Sequence, residues 1–243
     1  MKKIFLTALL VLFFSMTAFA LDGNEILKQV DRNLNPETFE MYRKLINIEP
    51  DGTKKEFIMF SVKKGKEKIA SVFIAPASEK GRSTLRIGEN MWLYIPNVGK
   101  PIRITSLQSV TGGIFNNADI MRLDYSAEYN CDKIETTDNG YTLYLKAKHK
   151  NVAYETVTMF IDSKKLLPNK IECYAASGML IKTLYFKKIK DFGNGVVRPS
   201  IIETDSPLYK GYKSYIIFAK VKTRELASEI FSLNYMHKID DLR

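Results

Sequence analysis

The sequence has little of what most protein chemistry uses. Its 243 residues include only 2 Cys, 2 His and 1 Trp. Two cysteines exclude a disulfide-rich scaffold and a multi-cysteine zinc module. His149 and His237 leave little material for a metal site or a hydrolase triad. A Gly-x-Ser-x-Gly elbow, a His-Glu-x-x-His pair, a glycine-rich phosphate loop and a Cys-x-x-Cys are also missing. Asp119 and Asp124 lie five apart and meet only if the chain folds back. They read better as a helix cap and a solvated carboxylate. The sequence therefore offers no catalytic residue, no metal ligand set and no cofactor site. Disorder and fibre are excluded as well, by 45% hydrophobic residues and 13 Gly without a repeat.

The first stretch reads as a leader. Lys2 and Lys3 precede the apolar run Ile4 to Phe14, and Ala18-Phe19-Ala20 supplies small residues for signal peptidase. The run is shorter than the roughly 20 residues that span a bilayer. We expect residues 1–20 to be a signal peptide cleaved after Ala20, with 21–243 a single periplasmic domain.

Export favours disulfides, so Cys131 and Cys173 invite a bridge. Its loop of about 42 residues would contribute about 4 kcal/mol by chain entropy. In a meander, however, the two strands lie about three spacings, or roughly 14 Å, apart, whereas bridged Cα atoms lie within about 7 Å. Two thiols are expected.

The mature chain reads as one helix followed by many strands. In Asp22 to Leu34, the residues Ile26, Leu27, Val30 and Leu34 share a helical face, Asp22 or Asn24 caps the start, and Asn35-Pro36 stops it. From Met41 onward the period is two. Glu56–Val62, Ile69–Ala75, Met91–Ile95, Tyr141–Lys148, Tyr154–Ile161, Lys170–Tyr174, Leu180–Ile189 and Tyr212–Val221 are rich in β-branched and aromatic residues. Turn pairs such as Asn139-Gly140 and Ser177-Gly178 separate them. A large antiparallel meander follows.

Several strands are apolar on both faces, as in Phe57 to Val62 and Ile69 to Ile74. Either a second layer covers each side, or the sheet curls around a lipophilic cavity. One segment breaks the strand pattern. Between Ile104 and Tyr125, Gly112-Gly113 precede Ile114, Phe115, Ala118, Ile120 and Met121, the apolar face of a short helix. It is either a lid over a curled sheet or a crossover helix packed permanently on the core.

Lys80-Gly81, Leu85, Gly88, Trp92, Tyr94, Pro96 and Arg103-Ile104 resemble the Lys-Gly, apolar strand, Gly-x-x-x-Trp-x-Tyr-x-Pro and Arg-Ile pattern of the bacterial outer-membrane lipoprotein-sorting family, the LolA-like periplasmic carriers. Phe115, Asn116, Asp119 and Ile120 resemble the family's lid segment. Leu167 to Lys170, Tyr174, Gly178, Lys182 and Val197-Arg198-Pro199 resemble its late strands. The likeness covers roughly Ile69 to Pro199.

The resemblance implies a mainly β fold: one antiparallel sheet curled into an incomplete half-barrel, with an N-terminal helix and a short helical lid over a hydrophobic cavity. It implies lid residues Ile114, Phe115, Ile120 and Met121, and wall residues Phe73, Trp92, Leu93, Leu143 and Leu145. It also implies a carrier of the acyl chains of a lipoprotein or other lipid, partnered by an inner-membrane transporter permease. A different class, an envelope-stress sensor or an accessory subunit of an exporter, stays open on the same fold. Lysines outnumber arginines 28 to 9; at turns and edges they keep sheets unpaired and suit transient contact with an anionic membrane surface. Nothing suggests nucleic acid.

Overall fold

The structure, a computed structural model, describes residues 22–243, and the expected leader with its cleavage site lies outside them. The chain opens with α1 (Gly23–Leu34), capped by the Asp22 carboxylate, which accepts from the Asn24 N–H at 2.9 Å. Its apolar stripe of Ile26, Leu27, Val30 and Leu34 is buried. Asn24, the other capping candidate, instead accepts the Cys131 N–H at 2.8 Å and ties the helix to an edge strand.

Thirteen strands form one antiparallel sheet. From the middle outward run β1 (Thr38–Ile48), β2 (Lys54–Lys64), β3 (Lys68–Ala75), β4 (Ser83–Ile87), β5 (Asn90–Tyr94) and β6 (Ile102–Ile104). The chain then crosses to the far edge. There β7 (Tyr129–Thr137), β8 (Gly140–Ala147), β9 (Thr156–Asp162), β10 (Pro168–Tyr174), β11 (Leu180–Asp191), β12 (Val197–Asp205) and β13 (Lys213–Thr223) step back inward until β13 pairs with β1. The expected single meander is thus two meanders, joined by a crossover at residues 105–128 that carries α2 (Asn117–Ile120) and α3 (Tyr125–Glu128). The edges β6 and β7 do not pair, so the sheet is not a closed barrel.

The sheet is curled all the same. The Asn151 amide, between β8 and β9, donates to the Glu89 carboxylate, between β4 and β5, at 2.8 Å. Those strands stand nine places apart in the sheet order, and a flat sheet would hold them about 40 Å apart.

Curling gives two unlike faces. The concave face of Phe39, Met41, Leu45, Met59, Phe73, Leu143, Met159, Leu184 and Ile216 forms one core with α1 and the crossover. On the convex face, Phe60, Val62, Ala70, Val72 and Leu85 form a second core. This core is covered by the C-terminal tail, where 3₁₀ turns at Ser228–Ile230 and Leu233–Leu242 bring Ile230, Phe231, Met236 and Ile239 onto it. The double-sided apolarity of β2 and β3 therefore has two covers, and only the concave one belongs to a cavity.

Cys131 is on β7 and Cys173 on β10, linked along one register line through Leu145 and Val157. Three strand spacings separate them, and both are free. Burial pushes the Cys173 thiol up to about 12, which makes it a poor nucleophile at neutral pH. Thiol counting should find Cys173 silent in the native protein and two reactive thiols after denaturation without reductant. No free thiol, with a mass two units low, would show a bridge this sheet order forbids.

Candidate functional site

The crossover spans the hollow of the sheet, where Phe115, Ala118, Ile120, Met121, Leu123 and Tyr125 join the concave core and a set of polar groups adds directed contacts. At its start, Asn47 of β1 donates to the Thr111 hydroxyl at 2.9 Å and accepts from Ser214 of β13 at 2.8 Å. Ser214 in turn accepts the Ile114 N–H at 3.1 Å. Gly112 takes a φ of +77°, and a Cβ on Gly113 would fall within 2.1 Å of the Asn47 side chain. This second glycine serves close approach, not a hinge. α2 is closed by a capping box, Asn116 accepting the Asp119 N–H and the Asp119 carboxylate accepting the Asn116 N–H, each at 3.1 Å.

Asp119 also faces the sheet. It accepts from Lys182 of β11 at 2.8 Å, from the Tyr154 hydroxyl at 2.9 Å and from Arg122 at 3.1 Å. Burial works to raise this carboxyl, but the Lys182 and Arg122 charges outweigh it and hold the group below the usual carboxylate range. Lys182 further donates to the Ile114 carbonyl at 2.5 Å. Farther along, Asp124 pairs with Lys63 of β2 at 2.7 Å, and Glu128 with Arg86 of β4. Arg86 also donates to the Met121 carbonyl at 3.1 Å. Each carboxylate of this set comes from the crossover, and Lys182, Lys63 and Arg86 from the sheet. Asp124, read from sequence as solvated, is thus an ion-pair partner.

Beneath the crossover lies a mostly apolar cavity. Phe39 and Met41 of β1, Leu184 of β11, Ile216 and Phe218 of β13, and Phe115 and Ile120 of the crossover line it, together with Arg43 and Arg198. The space left open is about 60 Å³, enough for a few waters.

Of the expected lid residues, Phe115 and Ile120 line this cavity, while Ile114 and Met121 are buried beside it. The expected wall residues stand elsewhere. Phe73, Leu143 and Leu145 are buried in the concave core without lining the open space. Trp92 packs against the convex core, and Leu93 is half-buried opposite Ile102 at the sheet edge. Sequence reasoning missed Arg43 and the contacts of Lys182 with the crossover. The available signal was a cation at an inward position, as in Phe39, Met41, Arg43, Leu45. Among the described residues no group of three His, Cys, Asp or Glu is placed to hold a metal, and no helix is long and apolar enough to cross a membrane.

Against known proteins, a family model described as "Uncharacterized protein" matches residues 65–238. A solved LolA superfamily protein from Nitrosomonas europaea is 28% identical, covers 89% of this chain and 100% of its own, and superposes with a TM-score of 0.80. The chain belongs to the family that the matching model describes, and its fold is LolA-like. Two more distant structures share the LolA-like fold. A DUF1329 family protein from Desulfovibrio piger (19% identity, 88% and 97% covered) gives a TM-score of 0.75. A domain described as an outer membrane lipoprotein-sorting protein from Vibrio parahaemolyticus (19%, 88% and 98%) gives 0.72. No curated protein sequence matches the chain.

The LolA-like half-barrel is also tied to the crossover through α1. Asp31 accepts the Tyr125 and Ser126 N–H groups at 2.7 and 2.8 Å. Burial, opposed by the Ser126 and Tyr125 hydrogen bonds and helped by the Asp124 charge, raises the Asp31 carboxyl from 3.8 to about 6. A folded value above the unfolded one means the native state holds the proton more tightly. The stabilisation is complete below about pH 4 and lost as pH rises through 6. Between pH 7 and pH 5 the wild type should gain about 1 kcal/mol, a few degrees in Tm. Thermal melts of Asp31→Asn should be flat across that window, and an unchanged rise would show that another group carries it.

Proposed function

We propose that this protein is a periplasmic carrier that shelters the acyl chain of a lipoprotein or other lipid between the concave face of its sheet and the 105–128 crossover. In this reading residues 1–20 are removed on export, 21–243 act as one domain, and an inner-membrane transporter permease loads or unloads it. The observation that carries the reading is the way the cavity is closed. An apolar hollow is covered by a segment that packs Phe115, Ile120 and Met121 into it and is docked to its rim and floor through ion pairs and hydrogen bonds.

That mode of closure suits a carrier. Burying a methylene is worth roughly 0.8 kcal/mol, so a long acyl chain gains on the order of 10 kcal/mol. The 60 Å³ now open is far too little for such a chain, so loading requires the crossover to lift. Buried ion pairs such as Lys182–Asp119 lose much of their Coulomb gain to desolvation. Parting them into water therefore has a small net cost.

Lysines on the outer surface, including Lys146, Lys148 and Lys150 around the β8–β9 loop, support brief contact with an anionic membrane during transfer.

The mature protein should bind one long-chain fluorescent fatty acid per molecule. Phe115→Asn removes an apolar side chain worth roughly 1.5–3 kcal/mol and should weaken binding tenfold or more. Because the crossover opens as a local unit, Tm should fall by only a few degrees. A permanently packed core predicts the reverse: no binding by the wild type, and a loss of roughly 3–5 kcal/mol that lowers Tm by about ten degrees or more. That pattern would replace carriage with a sensory or accessory role.

A further inference from the structure

Five cationic side chains are buried among the described residues: Arg43, Lys63, Arg86, Lys182 and Arg198. Alternation along their strands turns all five toward the hollow. The crossover brings three carboxylates, which pair with Lys63, Arg86 and Lys182. Arg43 and Arg198 have no carboxylate within ion-pair distance, and both line the cavity.

Their remaining partners are neutral. Arg43 donates through Nη2 to the Ser61 and Ser71 hydroxyls at 2.9 and 3.0 Å, while its buried Nε has no hydrogen-bond partner at all. Arg198 donates to the Asn35 side-chain oxygen and the Pro199 carbonyl, and its guanidinium lies 4.1 Å from the centre of the Phe218 ring. Arginine does not give up its proton in ordinary proteins, and a buried cation without a counter-charge is strongly disfavoured. Burial pushes Arg43 down to about 10, and burial together with the Arg43 charge pushes Arg198 down to about 9. The hollow thus holds two positive charges with no ion-pair partner, in a mostly apolar lining whose one carboxylate, Asp119, is already paired with Lys182 and Arg122.

From this arrangement we infer that the cavity takes an anionic amphiphile, its carboxylate or phosphate head bound by Arg43 and Arg198 and its apolar tail lying against Phe115, Ile120, Leu184 and Phe218. The inference rests on the carrier reading and narrows it to a cargo class. A carboxylate or phosphate presents the paired oxygens that a guanidinium fork engages. It would also supply the acceptor that Arg43 Nε lacks. The head would sit inside the hollow, so a neutral lipid of equal chain length gains the apolar contacts while leaving both charges unpaired.

Titration calorimetry on the mature protein should compare hexadecanoate, hexadecyl phosphate and hexadecanol, with acetate and inorganic phosphate as tail-less controls. The anionic pair should bind at least tenfold more tightly than hexadecanol. Arg43→Met and Arg198→Met should each erase most of that preference while keeping hexadecanol affinity within about twofold. Their Tm should hold or rise, because each removes an unneutralised buried cation; a merely structural arginine would give a lower Tm. Equal binding of all three amphiphiles, or a preference that survives both substitutions, would overturn the head-group site and leave the carrier reading standing. Binding of inorganic phosphate as tight as hexadecyl phosphate would reassign the site to a free anion and overturn the amphiphile. Failure of every amphiphile to bind would remove the carrier reading and this inference together.

Discussion

An open sheet built from its middle outward imposes one constraint on everything else: the chain must travel from the edge at β6 to the edge at β7 without a strand to follow. Curling shortens that journey and decides its path, which runs across the concave face. A segment in this position cannot hydrogen-bond into the sheet ladder, so its own backbone and side chains must find partners elsewhere. They do so in the Asn47–Ser214 clamp, the Asn116–Asp119 capping box and the three ion pairs to the sheet. The crossover is thus at once a topological necessity, the roof of the cavity and the least regular element of the fold.

Electrostatics completes the division of labour. The inside of the sheet is basic, and the underside of the crossover is acidic. Matching the two fixes where the crossover sits, since each carboxylate meets a cation from a different strand, β2, β4 or β11. The excess, Arg43 and Arg198, lines the mostly apolar cavity without an ion-pair partner. The convex face needs no such arrangement, because the tail from Leu226 to Ile239 seals it with apolar contacts.

Much of this was legible in the sequence, and the rest was hidden for identifiable reasons. α1, the apolar strands and the irregular crossover announce themselves through periodicity and turn residues. β7 (Tyr129–Thr137) is mostly polar because it is an edge strand, and β12 carries Pro199 in its interior, so neither gives a strand pattern. The C-terminal cover was unreadable because its apolar residues follow neither a period of two nor a long helix. For the same reason Trp92, facing that cover, could be taken for cavity wall. Adjacent residues of a strand point to opposite faces, so Trp92 and Leu93 never had a common wall to share. The crossover residues around Phe115 and Ile120 were found because glycines and an apolar helix face mark them. The arginines escaped because reading strands for apolar alternation passes over a charge at an inward position, although such a charge is the more informative observation.

The central claim is that the crossover is a separately opening unit and not a fixed part of the core. Hydrogen exchange resolved to single amides tests it directly. The Ala118, Ile120 and Met121 amides, bonded to Ser106, Asn116 and Asn117 carbonyls, should exchange through openings that cost much less than global unfolding, while the amides shared by β1, β2 and β13 exchange only when the whole protein unfolds. Crossover amides as protected as those central strands would contradict the account.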